Sequence, residues 1–122
     1  MRSEQYFRVE SLLNSIKSTN GEIGARILNL FLDYLGELEV AISTPMVKES
    51  DWLALAESAH RYKTPARSIG SDMLAETLDE LEEAINNLHL NCATEIIEEL
   101  PRIISNTRLE IEHYLGNLEE VF

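Results

Sequence analysis

One stretch, residues 55–70, decides the predicted fold, and it reads LAESAHRYKTPARSIG. Wound as a helix, it gathers five apolar residues on one side: Leu55, Ala59, Tyr62, Ala66 and Ile69. His60 follows Ala59 by one residue, which is about 100° around a helix, so the imidazole is expected on the solvent side. Lys63, Thr64 and Arg67 lie three, four and seven residues after His60 and share its face. The stretch therefore predicts an exposed imidazole beside two cations.

This histidine face is suited to carrying a phosphoryl group. Transfer to imidazole requires a neutral ring nitrogen, access for a partner, countercharge for the phosphate and a group that orients the ring. Lys63 and Arg67 supply the countercharge, Arg67 in a geometry that allows two parallel hydrogen bonds. A carboxylate on the following helix would accept a hydrogen bond from one ring nitrogen and leave the other free. Glu82 is the candidate for this role, and Asp79 and Glu83 remain alternatives.

The rest of the chain also reads as helix. Glycine (5) and proline (3) are scarce among the 122 residues, and apolar residues recur with helical spacing. This periodicity predicts helices over about 4–18, 22–43, 50–69, 73–88 and 92–119. Because the turns are short, neighbouring helices should run antiparallel. We expect a single all-α domain over 1–122: an up-down-up-down four-helix bundle over about 22–119 with an additional short N-terminal helix packed across one end.

Several details of these helices are also predicted. Ser50 or Asp51 should cap the third helix, and Gly70-Ser71-Asp72 should close it and cap the fourth. Pro65 should kink the third helix, and Pro101 should bend or split the fifth. The fourth helix should end on an apolar residue, Leu88. The core stripe of the second helix is expected to contain Ile23, Ile27, Leu30, Phe31, Tyr34, Leu35, Leu38 and Ile42.

The composition narrows the classes of partner. Twenty-two acidic and ten basic residues give a formal net charge of -12, which argues against nucleic acid or an anionic membrane surface as partner. No apolar run approaches the roughly 18 residues that span a bilayer. The N-terminal sequence lacks the apolar segment of a signal peptide. A single cysteine, Cys92, fits a reducing cytoplasm, where we expect the protein to act.

The residue pattern resembles the histidine-containing phosphotransfer (HPt) family. The resemblance rests on Ala59-His60, on Lys63 three residues later, on Ile69-Gly70 and on Leu81-Glu82 in the next helix. Specific positions agree from about Leu53 to Leu88, and the arrangement of helices extends the resemblance over about 22–118. The first nineteen residues contribute little to it.

The resemblance implies a function for His60. It would accept a phosphoryl group from an aspartyl phosphate on a receiver domain and pass it to another receiver, beside Lys63, Arg67 and Glu82. Domains of this kind are usually monomeric and have no kinase activity. Their partners are response-regulator receiver domains and hybrid histidine kinases. The magnesium for transfer belongs to the receiver, so no cofactor and no metal site is expected in this chain, which also lacks a glycine-rich nucleotide loop.

Departures from the family pattern and a docking surface are predicted near His60. Thr64 stands where the family has glycine, Pro65 where a small residue is common, and Arg67 replaces another small residue. A receiver must also bury apolar surface. Leu53 and Ala56 are expected to supply it on the His60 side of the helix, bordered by Trp52, and Thr64 and Gly70 are further candidates for partner contact. Leu53 and Trp52 would alternatively pack against the first helix.

Two other functions fit parts of the sequence. The chain would be an acidic helical adaptor if His60 had no chemistry. The pairs Glu57–His60 and Glu110–His113 have the Glu-x-x-His spacing of di-metal carboxylate bundles. However, Glu57 and His60 are expected to face away from the core, whereas such ligands point inward. His89 and His113 are assigned structural roles.

Overall fold

The computed structural model describes the backbone of residues 6–8 and 21–121 and the side chains of residues 6–8 and 23–117. It contains four helices, which we label α1 (Gly21–Ser43), α2 (Glu49–Ser68), α3 (Asp72–Asn86) and α4 (Leu90–Val121). Each helix packs against the next, and α4 returns to α1, so the four form a closed ring around one core. No strand occurs in the described ranges. The prediction of an all-α four-helix bundle is confirmed.

The helix boundaries differ from the prediction at the start of α2 and at the end of α3. α2 begins at Glu49 with Lys48 as the capping position, so the prediction that Ser50 or Asp51 occupies that position was wrong. Asp51 instead lies in the first turn, where its carboxylate accepts the backbone N–H groups of Val47 and Lys48 at 3.0 Å each. α3 ends at Asn86 because Leu88 adopts a positive φ of 60°. Leu88 is 76% exposed and does not belong to the core.

Neither internal proline interrupts its helix. α2 continues through Pro65, and α4 is one helix of 32 residues that includes Pro101. A proline removes one backbone donor, but the packing of the flanking turns holds both helices together. Ala66 directly after Pro65, and Leu100 directly before Pro101, are fully buried. Pro101 therefore does not split the last helix.

The buried residues confirm the apolar stripe predicted for the third helix, which is α2, and correct the stripe predicted for the second helix, which is α1. Leu55, Ala59, Tyr62, Ala66 and Ile69 are all buried. In α1, by contrast, Ile23 is 43% and Leu30 51% exposed, whereas Leu28 is fully buried. The buried positions are Leu28, Phe31, Leu35 and Leu38. Two overlapping stripes of helical period exist in this leucine- and isoleucine-rich segment, and periodicity alone does not choose between them.

The short N-terminal segment Tyr6–Arg8 lies against α4 and the α2–α3 turn. The Tyr6 backbone N–H donates to Oε2 of Glu110 at 3.0 Å, and Phe7 meets the Tyr114 ring edge-on at 5.7 Å. The Arg8 backbone N–H donates to the carbonyl of Gly70 at 3.1 Å, and its side chain pairs with Asp72. These three residues are not helical. The rest of the helix predicted over about 4–18 lies outside the described residues.

Candidate functional site

α2 presents His60 to solvent because the opposite face of the helix is committed to the core. Ala59 is fully buried, and Tyr62 is 6% exposed. Tyr62 is fixed by a hydrogen bond from its hydroxyl to Glu37 of α1 and by the Tyr34 ring at 5.4 Å. These contacts set the rotation of α2 about its axis. The His60 side chain, one position from Ala59, is 68% exposed.

α3 brings one carboxylate to the imidazole. Leu78, Leu81 and Ile85 are buried along its inner face, which leaves Glu82 at the edge facing α2. Oε2 of Glu82 lies 2.8 Å from Nδ1 of His60. Because an ionised carboxylate only accepts hydrogen bonds, this contact assigns the ring proton to Nδ1 and leaves the lone pair on Nε2. Of the three acids that the sequence left open, Glu82 is the one in contact with the ring.

Lys63 is held by two carboxylates of α3. Its Nζ lies 2.8 Å from Oε1 of Glu82 and 2.9 Å from Oδ1 of Asp79. The hydrogen bonds that Lys63 donates, to Glu82 first and to Asp79 second, raise its pKa, and the hydrogen bond from Lys63 lowers the pKa of Asp79. Glu82 therefore contacts Lys63 through Oε1 and His60 through Oε2. The sequence predicted Lys63 on the histidine face but not this ion pair.

α2 also carries two arginines, Arg61 and Arg67, close in sequence to His60 and Lys63. Arg67, in the last turn of α2, is exposed, and its positive charge contributes to the lowered pKa of Asp79. The guanidinium of Arg61 lies 5.9 Å from the centre of the Tyr62 ring. Both arginines follow His60 in α2, Arg61 by one residue and Arg67 by seven.

An open groove of about 650 Å³ runs between α2 and α3 beside the imidazole. It is lined by Leu53, Ala56, Glu57, His60, Arg61, Glu82 and Asn86. Leu53 is 52% exposed, whereas Ala56 is 7% exposed and closes the floor. Trp52 is half-buried and packs against the core. The groove therefore combines an apolar wall with a polar end at His60.

Some groove residues were absent from the predicted site, and two of the four residues predicted for partner contact, Thr64 and Gly70, do not line the groove. The sequence analysis missed Asn86, although it lies four residues after Glu82 and so shares the face of α3 that carries Glu82. Thr64 is exposed one turn beyond His60. Gly70 lies away from the groove, buried in the α2–α3 turn beneath the backbone of Arg8. Its φ of +91° and this close approach account for glycine at the position.

The described side chains provide no cluster of three or more histidine, cysteine, aspartate or glutamate residues placed to hold a metal ion. Glu57 and His60 both point outward into the groove. Glu110 accepts the Tyr6 backbone N–H, and His113 is exposed. His89 is exposed in the α3–α4 turn, where its N–H donates to the carbonyl of Ala84. Of the helices described, none is both long enough and apolar enough to cross a lipid bilayer.

Comparison with known protein families identifies the domain. The family model described as the Hpt domain matches residues 26–120, which include all of the groove and the network around His60. No match was found among curated proteins or among solved structures. Hpt domains are phosphocarriers of phosphorelays rather than kinases, and they interact with receiver domains and histidine kinases. The match covers most of the chain and agrees with the helical bundle, so this protein belongs to the Hpt domain family.

Proposed function

We propose that the protein is a phosphohistidine carrier in which His60 accepts a phosphoryl group from a receiver-domain aspartyl phosphate and passes it to another receiver. The single observation that carries this proposal is the 2.8 Å contact between Nδ1 of His60 and Glu82 on a ring that is 68% exposed. The contact orients the imidazole and fixes its tautomer. The exposure leaves Nε2 accessible to a second protein.

The transfer step follows from this geometry. The Nε2 lone pair attacks the phosphorus of the acyl phosphate, and the bond from phosphorus to the aspartyl oxygen breaks. The aspartate leaves as a carboxylate with that electron pair. The ring, which keeps its proton on Nδ1, becomes positively charged, and the Glu82 carboxylate stabilises this charge. Transfer to the next receiver reverses the same bonds.

The neighbouring residues are assigned roles on the same basis. Lys63 and Arg67 would offset the charge of the phosphoryl oxygens. Leu53 and Ala56 would form the apolar part of the receiver contact, and Thr64 would border it. Because Gly70 is buried beneath Arg8, we leave it out of the docking surface and give it the role of ending the helix that carries His60.

The setting of this activity is also a proposal. We infer one Hpt domain over 1–122 that acts as a monomer in the cytoplasm, with response-regulator receiver domains and a hybrid histidine kinase as partners. The net charge of -12 supports protein partners over nucleic acid. No resident cofactor enters the step above.

A transfer assay with a matched histidine control tests the proposal. A receiver domain carrying labelled aspartyl phosphate is mixed with the wild type, with His60→Gln and with His113→Gln. His113 is the control because it is also exposed and also follows a glutamate by three residues. We expect label on the wild type and on His113→Gln, and none on His60→Gln. A folded wild type that takes no label from several receivers would favour the adaptor function instead.

A further inference from the structure

The ammonium group of Lys63, one helical turn after the proposed phosphoacceptor His60, is already paired in this structure. Lys63 is only 21% exposed, and its ammonium group is shared between Glu82 and Asp79 at 2.8 and 2.9 Å. Two carboxylates and one ammonium leave the group with a net negative charge. A phosphoryl group on Nε2 would therefore compete with these two carboxylates for the ammonium group.

The two carboxylates differ in how readily they release Lys63. Glu82 is 19% exposed and also lies 2.8 Å from Nδ1 of His60. Separating it from Lys63 would leave a largely buried charge with less compensation, which is costly. Asp79 is 55% exposed, so water can replace the ammonium group. The nearby charge of Arg67 continues to compensate Asp79 after Lys63 leaves.

Lys63 has the freedom to make this exchange. It follows His60 by three residues and lies on the same face of α2. Its flexible four-carbon chain presents a point charge that forms hydrogen bonds in several directions. Without Asp79, Lys63 would still be in contact with Glu82.

From this arrangement we propose that Asp79 is a positioning residue: it pairs with Lys63 while His60 is unphosphorylated and releases Lys63 to the phosphoryl group when His60 is phosphorylated. The inference rests on the proposed function of His60. It assigns Asp79 a role that acts through Lys63, not through contact with the reacting atoms. Competition between Asp79 and the phosphoryl group then sets how strongly the phosphorylated state is stabilised.

Phosphorus NMR tests this role directly. The full chain is phosphorylated with phosphoramidate, a small donor that needs no partner protein, and the second proton dissociation of the phosphoryl group is followed by its ³¹P shift. A cation that pairs with the phosphoryl group makes this proton leave more readily. In Asp79→Asn the freed Lys63 should lower the proton affinity of the phosphoryl group by about twofold to fivefold, the range of a partly exposed ion pair.

Matched variants separate release of Lys63 from simple loss of charge. Glu83→Gln removes one negative charge from the same exposed side of α3, and no hydrogen bond or ion pair joins Glu83 to Lys63 in the described structure. Glu83→Gln should therefore lower the proton affinity of the phosphoryl group less than Asp79→Asn does. Asp79→Glu should restore wild-type behaviour. In a Lys63→Gln background, Asp79→Asn should have no larger effect than Glu83→Gln.

Two results would overturn the inference and are distinguishable from each other. If wild-type His60 takes up phosphate normally but Asp79→Asn matches Glu83→Gln, Asp79 has no role through Lys63 and the phosphocarrier function stands. If no phosphate appears on His60 of the folded wild type, both the inference and the proposed function are wrong. A fall in the pKa of Lys63 in unphosphorylated Asp79→Asn would independently support the ion pair on which the inference depends.

Discussion

Replacing Gly70 by alanine should destabilise the protein because two separate features of the α2–α3 turn require glycine. The backbone at Gly70 has a φ of +91°, a conformation that residues with a side chain rarely adopt. An alanine Cβ would also clash with the carbonyl oxygen of Arg8 and lie 2.9 Å from its backbone nitrogen. Both are backbone atoms, so the clash is not relieved by rotating a side chain.

The magnitude follows from these two features. Left-handed backbone strain in a residue other than glycine costs about 1–2 kcal/mol. Moving Arg8 away also breaks the 3.1 Å hydrogen bond from its backbone N–H to the Gly70 carbonyl, which contributes about 1 kcal/mol. We therefore expect Gly70→Ala to lower the free energy of unfolding by about 2–3 kcal/mol. The loss is larger if the segment detaches, because Tyr6 and Phe7 are each 6% exposed.

Urea denaturation followed by circular dichroism measures this change, with Gly36→Ala as the control. Gly36 lies inside α1, and nothing lies within 4 Å of a Cβ built there. Alanine at that helical position should raise the free energy of unfolding by about 0.5–1 kcal/mol. The two glycine-to-alanine changes should therefore act in opposite directions. If Gly70→Ala unfolds at the wild-type urea concentration, the N-terminal segment does not pack against this turn as described.

Three further changes test other parts of the structure. Leu88→Gly should stabilise the fold by about 0.5–1 kcal/mol in the same urea assay, since Leu88 has a φ of 60° and is 76% exposed; a loss of stability would mean that its side chain packs in solution. Burial first and the hydrogen bond with Glu37 second raise the pKa of Tyr62 above its usual 10.0. The protonated Tyr62 therefore contributes fully to folding stability below pH 10.0, and this contribution is lost as the pH rises above that value. Tyr62→Phe should consequently show a shallower alkaline loss of stability than the wild type, and parallel losses would contradict the assigned cause. Leu53→Glu should leave the fold intact but slow phosphoryl transfer by about tenfold if Leu53 contacts the receiver, whereas Val47→Glu, at a position 81% exposed and outside the groove, should not; unchanged transfer in both would exclude Leu53 from docking.

The features predictable from the sequence are those that a single helix determines. The face of α2 follows from the spacing of its apolar residues, so the burial of Ala59 and the exposure of His60 are both readable from residues 55–70. Predicting the contact of His60 with Glu82 also requires knowing how α2 pairs with α3. The resemblance to the family pattern indicated Glu82, whereas helical periodicity alone did not choose among Glu82, Asp79 and Glu83.

The features missed by the sequence depend on contacts between distant segments. The burial of Leu28 in place of Ile23 or Leu30 depends on how α1 rotates against its neighbours, because its apolar residues cover more than one face. Gly70 is buried by Arg8, 62 residues earlier in the chain, and this contact has no local signature. The sharing of Lys63 between two carboxylates likewise depends on the register of α2 against α3.

The most direct test of the proposed function is to find which histidine nitrogen takes up phosphate. Because Glu82 contacts Nδ1 of His60, we expect Nε2 to be the nucleophile. Long-range ¹H–¹⁵N spectra of the phosphorylated protein, labelled at its histidines, distinguish the two nitrogens and separate His60 from His89 and His113. We expect phosphorus on Nε2 of His60, with the proton retained on Nδ1. Phosphorus on Nδ1, or on either of the other histidines in place of His60, would contradict this expectation.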